Sequence, residues 1–287
     1  MSAGVAPRPR VGLVLGSGGP KCFAAIGLWR VLEREGIDVD VIVGCSGGCM
    51  PAVGIALGLT ADEIETRLAR LWTKSVFARR NWGSLARAIF PRLLGAPRRF
   101  GLLDDRELRR ALARELGDAR FEDLARRTFL TATDAETGES VVISHGRVAD
   151  AMRASMAIPV VLEPWPVDGR LLIDGGVSDP LPVSVAIREQ CDVILAMGFA
   201  SPVEAQSGEL AALVSRTTSL IVNNFIRSMY SFYNLAHHAE LIALMPEFEG
   251  KISLTDPRAF PAIVAQGERC AEEQVPYLRR LLKGAPA

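Results

Sequence analysis

Ser46 stands among glycines in GCSGG, residues 44–48, a G-x-S-x-G spacing. The stretch before it, IDVDVIVG (37–44), reads as a buried strand. The stretch after it, GGCMPAVGIALG (47–58), reads as a helix of small residues. At a strand-to-helix turn this spacing makes a nucleophile elbow. Gly44 and Gly48 clear steric room, the serine takes a strained backbone conformation, and its hydroxyl projects into a cleft. The start of the helix also faces developing negative charge. The chemistry implied is attack of an activated hydroxyl on an acyl carbon. The plainer alternative is a turn of small residues with no chemistry.

Two further segments carry polar groups where strands should end. GSGGPKC (16–22) clusters glycines before a helix, with Pro20 where a first-turn proline fits. Several amides there lack intrahelical acceptors and can bind an oxyanion. A dinucleotide loop is disfavoured, because counting G-x-G-x-x-G from Gly16 puts Lys21 at the sixth position. In DGGVSDPLP (174–182), Asp174 follows an apolar strand and precedes two glycines. That places a carboxylate at the carboxyl edge of a sheet, where open α/β folds bind ligands; an ordinary turn aspartate is the alternative. The histidines are His145, His237 and His238. A Ser–Asp–His triad would need His237 or His238, but NLAHHAE follows a helical pattern rather than a loop after a strand. His145, in the turn SHGR, reads as solvated.

The elements that must hold these residues alternate. RVGLVLG (10–16) is a strand, KCFAAIGLWRVLERE (21–35) a helix stopped by Gly36, then come the strand and small-residue helix around Ser46. Thr60 and Glu63 form a capping box for a helix over 60–73. Such alternation predicts a parallel α/β sheet. TFLTATDA and SVVIS, joined by ETGE, predict paired strands. VADAMRASMAIP predicts a helix closed by Pro159, DGRLLIDGG (168–176) a turn and strand, PVSVAIREQ a helix and CDVILAMGF a strand. A long helix, a late strand and a helical tail follow. No linker or repeat interrupts residues 1–287, so a single domain is expected.

Residues 66–103 break the pattern. They hold nine Lys or Arg and no Asp or Glu, with Trp72, Phe77, Trp82, Phe90 and Phe100 interleaved. One reading is a basic lid that contacts a membrane peripherally; the other is amphipathic helices packing their apolar side into the domain. Lys+Arg and Asp+Glu are each 33 in 287 residues, so no global field invites nucleic acid. The five cysteines form no Cys-x-x-Cys pair and read as reduced thiols, with no metal site. With no long apolar run and no secretory leader, a cytoplasmic location is expected, at most peripheral at the inner membrane face.

Together LGSGGPKCFAAIG, VGCSGG and LLIDGGVSDPLP, in that order, resemble the patatin-like phospholipases, particularly the compact bacterial type. TATDAETGE and RASMAIPVVLEP are similar to that family too. The resemblance implies a three-layer α/β/α sandwich around a mostly parallel sheet. It implies Ser46 as nucleophile and Asp174 as its base, with the Gly18 and Gly19 amides as oxyanion hole. Ser17, Lys21 and Gly47 would support the site. Ser17 and Cys22 stand where the family usually has glycine, and a β-carbon at Ser17 is expected to restrict the loop. The implied substrate is a lipid acyl ester, cleaved without metal or cofactor by a partly dry carboxylate base. An acyltransferase using the same acyl-enzyme and a catalytically weak regulatory protein on the same fold are the rival functions.

Overall fold

The computed structural model describes residues 8–72, 79–89, 99–200, 210–248 and 257–282. Its core is a sheet of strands β1 (Val11–Leu15), β2 (Val41–Cys45), β3 (Arg127–Asp134), β4 (Ser140–Ile143), β5 (Trp165–Val167), β6 (Arg170–Asp174), β7 (Val193–Met197) and β8 (Glu240–Leu244). Five of them run parallel in the order β3-β2-β1-β7-β8. Helices cover both faces, so the central strands are apolar throughout rather than alternating. Leu13, Leu15, Ile42 and Leu195 point into one core with α1 (Ala24–Glu35), α2 (Cys49–Ala56) and α3 (Ala61–Leu71). Their neighbours Val14, Val41, Val43 and Ile194 point into another core, under α7 (Val183–Arg188) and α8 (Leu210–Ala236). This is a three-layer α/β/α sandwich. The remaining helices are α4 (Trp82–Ile89), α5 (Arg106–Leu116), α6 (Val148–Ser155), α9 (Phe260–Glu272) and α10 (Val275–Leu282).

Three antiparallel pairings modify the parallel plan, and they matter for the site. Leu130 and Thr131 of β3 pair with both β2 and β4, so those strands flank β3 on opposite edges. Ala132 and Thr133 pair with both β4 and β6, so β6 lies on the same edge as β2. Strands β2 and β6 therefore share one edge of β3 end to end, running toward each other. Cys45 pairs with Thr131 and Asp174 with Ala132, consecutive residues of β3. The carboxyl ends of two strands far apart in sequence thus meet head to head.

The Thr60 capping box forms as its spacing predicts: Thr60 accepts from the Glu63 amide while the Glu63 carboxylate accepts from the Thr60 amide. The basic stretch divides. Leu68, Leu71 and Trp72 are buried, with Trp72 packed edge to face on Phe23 at 5.6 Å, so the apolar side of residues 66–72 packs inward. Residues 73–78 and 90–98 of that stretch lie outside the described residues.

Helix α9, in the tail, is fixed to α1 by two glycines. A β-carbon on Gly27 would strike the Val264 carbonyl oxygen, and one on Gly267 the Ala24 carbonyl oxygen. Alanine normally favours a helix interior by about 0.5–1 kcal/mol over glycine. Here Gly267→Ala is expected to reverse that sign and cost roughly 1–3 kcal/mol by overpacking. Urea unfolding checks it: a variant as stable as the parent would show that the helices do not meet as closely as described.

Candidate active site

Ser46 follows directly from β2, where Cys45 still has extended backbone, and opens the short turn Ser46–Gly48 that leads into α2. Its φ is 52°, a left-handed conformation that disfavours any residue with a β-carbon. Such strain costs of order 1–3 kcal/mol and persists only where the surroundings impose it. Three contacts impose it here. The Ser46 amide donates to Ser155 Oγ on α6 at 2.8 Å, and the Ser155 hydroxyl donates to the Thr131 carbonyl at 2.6 Å. Cys49 Sγ also lies 3.1 Å from Ser155 Oγ. Glycine is required beside the serine: a β-carbon at Gly48 would meet the Leu15 carbonyl oxygen, and one at Gly47 would meet the Gly19 carbonyl oxygen.

Asp174 reaches Ser46 from the opposing strand. The Ser46 hydroxyl donates to Asp174 Oδ2 at 2.6 Å, and the Gly176 amide donates to Oδ1 at 2.8 Å. Its backbone is held as firmly, the amide on the Ala157 carbonyl at 2.9 Å and the carbonyl accepting from Thr133 Oγ1 at 2.8 Å. Both side chains are buried, Ser46 7% and Asp174 6% exposed. Burial pushes the Asp174 carboxyl up to about 6, against the opposing pull of the hydrogen bonds from Ser46 and Gly176. A cation beside it would hold it low; among the described residues no ion pair reaches it.

The glycine loop closes the third side. The Gly16 amide donates to Met197 O at 2.9 Å and the Ser17 amide to Pro180 O at 2.8 Å, which ties the loop to β7 and to the segment after Asp174. Gly18 caps the 3₁₀ turn Gly19–Phe23, and its α-carbon faces Phe199, whose ring a β-carbon would meet at 2.6 Å. The opening amides of such a turn have no acceptor within it. Ser17 is not in the left-handed region, so its β-carbon does not restrict the loop as expected. It lies against Gly176, where a β-carbon would come within 2.8 Å of Ser17 Oγ. Cys22 is buried, its Sγ 3.3 Å from the Gly16 carbonyl. Lys21 Nζ donates to the Ala200 carbonyl at 2.7 Å and so braces the loop after β7; burial pushes its ammonium pKa down.

The histidines take no part. His237 and His238 fall after α8, in the turn before β8 rather than in the helix their pattern suggested. Since β8 runs parallel to β1 and β2, that turn lies at the end of the sheet away from Ser46. His145 is exposed, with Nε2 3.0 Å from Asp168.

The profile described as patatin-like phospholipase matches residues 13–187, a span that begins in β1, contains Ser46 and Asp174, and ends in α7. The chain belongs to the patatin-like phospholipase family. An uncharacterised NTE family protein of Mycobacterium tuberculosis is 32% identical over 236 residues, 82% of this chain and 60% of the relative. The lysophospholipase NTE1 of Yarrowia lipolytica is 30% identical over 191 residues, 67% of this chain and 13% of its own length. The chain therefore spans less than two thirds of the length of each of these relatives. VipD from Legionella pneumophila shares the fold, with a TM-score of 0.50 and 15% identity over 95% of this chain and 67% of that one.

Patatin-like motifs drew attention to RASMAIP as a connecting stretch, but not to the hydroxyl of Ser155. Nothing in its sequence surroundings says that it turns toward β2; only the packing of α6 on the sheet does. Ser155→Ala is expected to leave the buried Ser46 amide without an acceptor, at a cost of about 1–3 kcal/mol. Chemical denaturation checks this, with Ser155→Thr, which keeps the hydroxyl, expected to lose less.

Asp174 makes a second prediction. Its folded pKa, about 6, lies above the ordinary 3.8, so protonation of the folded state is favoured. The stability this gives is present below pH about 4 and lost as pH rises to about 6, a total of order 2–3 kcal/mol. Asp174→Asn lacks that loss. Its melting temperature relative to the parent is expected to rise between pH 4 and 6 and then level off; a constant offset would show that Asp174 titrates normally.

Proposed function

We propose that this chain is a serine lipid acyl hydrolase, acting on carboxylic esters as a phospholipase A, lysophospholipase or esterase. The observation that carries the reading is the 2.6 Å hydrogen bond from Ser46 Oγ to a buried Asp174. Serine is a weak nucleophile and needs a base within hydrogen-bond reach. An ordinary carboxylate is a poor base at neutral pH; one raised to about 6 by burial is closer to the task.

In this scheme Ser46 Oγ attacks the ester carbonyl as its proton passes to Asp174. The Gly18 and Gly19 amides at the mouth of the turn stabilise the oxyanion, helped by the dipole of the turn and of α2. Collapse of the tetrahedral adduct expels the alcohol, which takes the proton back from Asp174. Water, deprotonated by the same carboxylate, then releases the fatty acid and restores the serine. Family membership and the lysophospholipase among the relatives support a lipid ester as substrate.

A fluorophosphonate probe is expected to label the wild-type chain and not Ser46→Ala. Turnover of a panel of acyl esters and phospholipids is expected to fall by roughly 10³-fold or more in Ser46→Ala and Asp174→Asn. Activity should be lost as pH falls through about 6, as Asp174 takes up its proton. Full activity in Asp174→Asn would rule out the dyad. Capture of the acyl group by added lysolipid, in preference to water, would make the protein a transferase.

A further inference from the structure

Val160 is a β-branched residue with φ 70° and a side chain 57% exposed. Valine in the left-handed region is a genuine outlier, and glycine or asparagine would serve the turn at lower cost. Burial does not compensate it. The residue sits in the loop after α6, three positions from Ala157, whose carbonyl holds the Asp174 amide.

Other apolar side chains are displayed beside it. The Leu102 amide donates to the Val160 carbonyl at 2.8 Å, and the Asn81 amide to the Leu102 carbonyl at 2.8 Å. This ladder carries Leu102, 40% exposed, and Trp82, 65% exposed. Ile158 in the same loop is 39% exposed, and Val177, which ends the turn that Asp174 begins, is 55% exposed. Four described segments thus bring exposed apolar residues toward the carboxylate end of the site. Exposed apolar residues that gather into one patch mark an interaction site.

The charged residues of 79–89 and 99–103 are all arginines. Arg79, Arg80 and Arg99 are exposed, and the Arg80 guanidinium lies 5.9 Å from the Trp82 ring centroid. Residues 79–89 and 99–103 contain no Asp or Glu. Two carboxylates border these segments: Asp104 is paired with Arg106, and Glu163 accepts from the Asn81 side-chain amide at 2.9 Å. Tryptophan and aliphatic groups flanked by arginines match the boundary between acyl chains and anionic headgroups.

We propose that Trp82, Leu102, Ile158, Val160 and Val177 form the face that docks on an anionic lipid bilayer, delivering substrate to Ser46. This deepens the hydrolase reading and rests on it. The docking face is assembled from four described segments, and Leu68, Leu71 and Trp72 of the basic stretch belong to the core.

The test is flotation of the full chain with phosphatidylcholine vesicles, with and without phosphatidylserine, alongside hydrolysis of a soluble short-chain ester. Trp82→Glu is expected to lower vesicle partitioning roughly tenfold while soluble-ester turnover is unchanged. Val160→Asn accepts the left-handed backbone, so it is expected to melt no lower than wild type and still bind vesicles several-fold more weakly. Phosphatidylserine should strengthen wild-type binding. Unchanged binding in both variants overturns the proposal. So does a wild-type chain that ignores vesicles but self-associates through Trp82, which would make the face a contact between copies. Ser46→Ala separates the two readings. Vesicle binding like wild type, with no wild-type ester turnover, sinks the hydrolase and leaves the docking face. Turnover of soluble ester without vesicle binding does the reverse.

Discussion

A carboxylate that has no cation partner among the described residues lies buried against a serine hydroxyl, and the structure around it is arranged to keep it there. Left alone, Asp174 would be protonated or drawn to solvent. Two donors, the Ser46 hydroxyl and the Gly176 amide, make its ionised form tolerable without restoring it to ordinary acidity. A cation in their place would have stabilised the fold and removed the basicity. The site thus keeps an unfavourable group buried.

Sheet topology explains how that arrangement is reached. The serine ends a strand of the parallel core, and the aspartate ends a strand that arrives from beyond the core in the opposite sense. Neither needs a long loop to reach the other, because β3 outruns β2 and supplies three residues for β6 to pair with. Thr131 and Ala132 set the register of both. A slip of one residue in either pairing would turn the carboxylate to the opposite face.

Much of this was legible in the sequence, for a physical reason. Glycines flanking Ser46, preceding Lys21 and following Asp174 sit where close contacts, from backbone at Gly16, Gly47, Gly48 and Gly175 and from side chains at Gly18 and Gly176, leave no room for a β-carbon, so the constraint is written in residue type. The strands were legible because both faces are buried and the runs are apolar. The direction of β6 was not, since an isolated run LLID does not encode its partner. Nor was Ser155, whose role arises from the side of α6 that meets the sheet. The helical pattern around His237 and His238 runs past the helix itself, which ends at Ala236. Arg153 was silent as well: it is 1% exposed, held by Asp105 at 2.7 Å and the Glu163 carbonyl at 2.9 Å, and lies over Trp165. Arginines are rarely fully buried, yet this one anchors the far end of the loop that carries Val160.

Gly47 and Gly48 touch the backbone of the loop that runs from Leu15 to Gly19, with room for hydrogen atoms and nothing larger. The two turns are consequently one solid piece. Whatever widens one displaces the other, so the Ser46 hydroxyl and the glycine loop opposite it cannot drift apart through single substitutions at the seam. Diversification of such a protein has to proceed from the periphery, through residues such as Ser17 and Val177 that border the seam without lying in it.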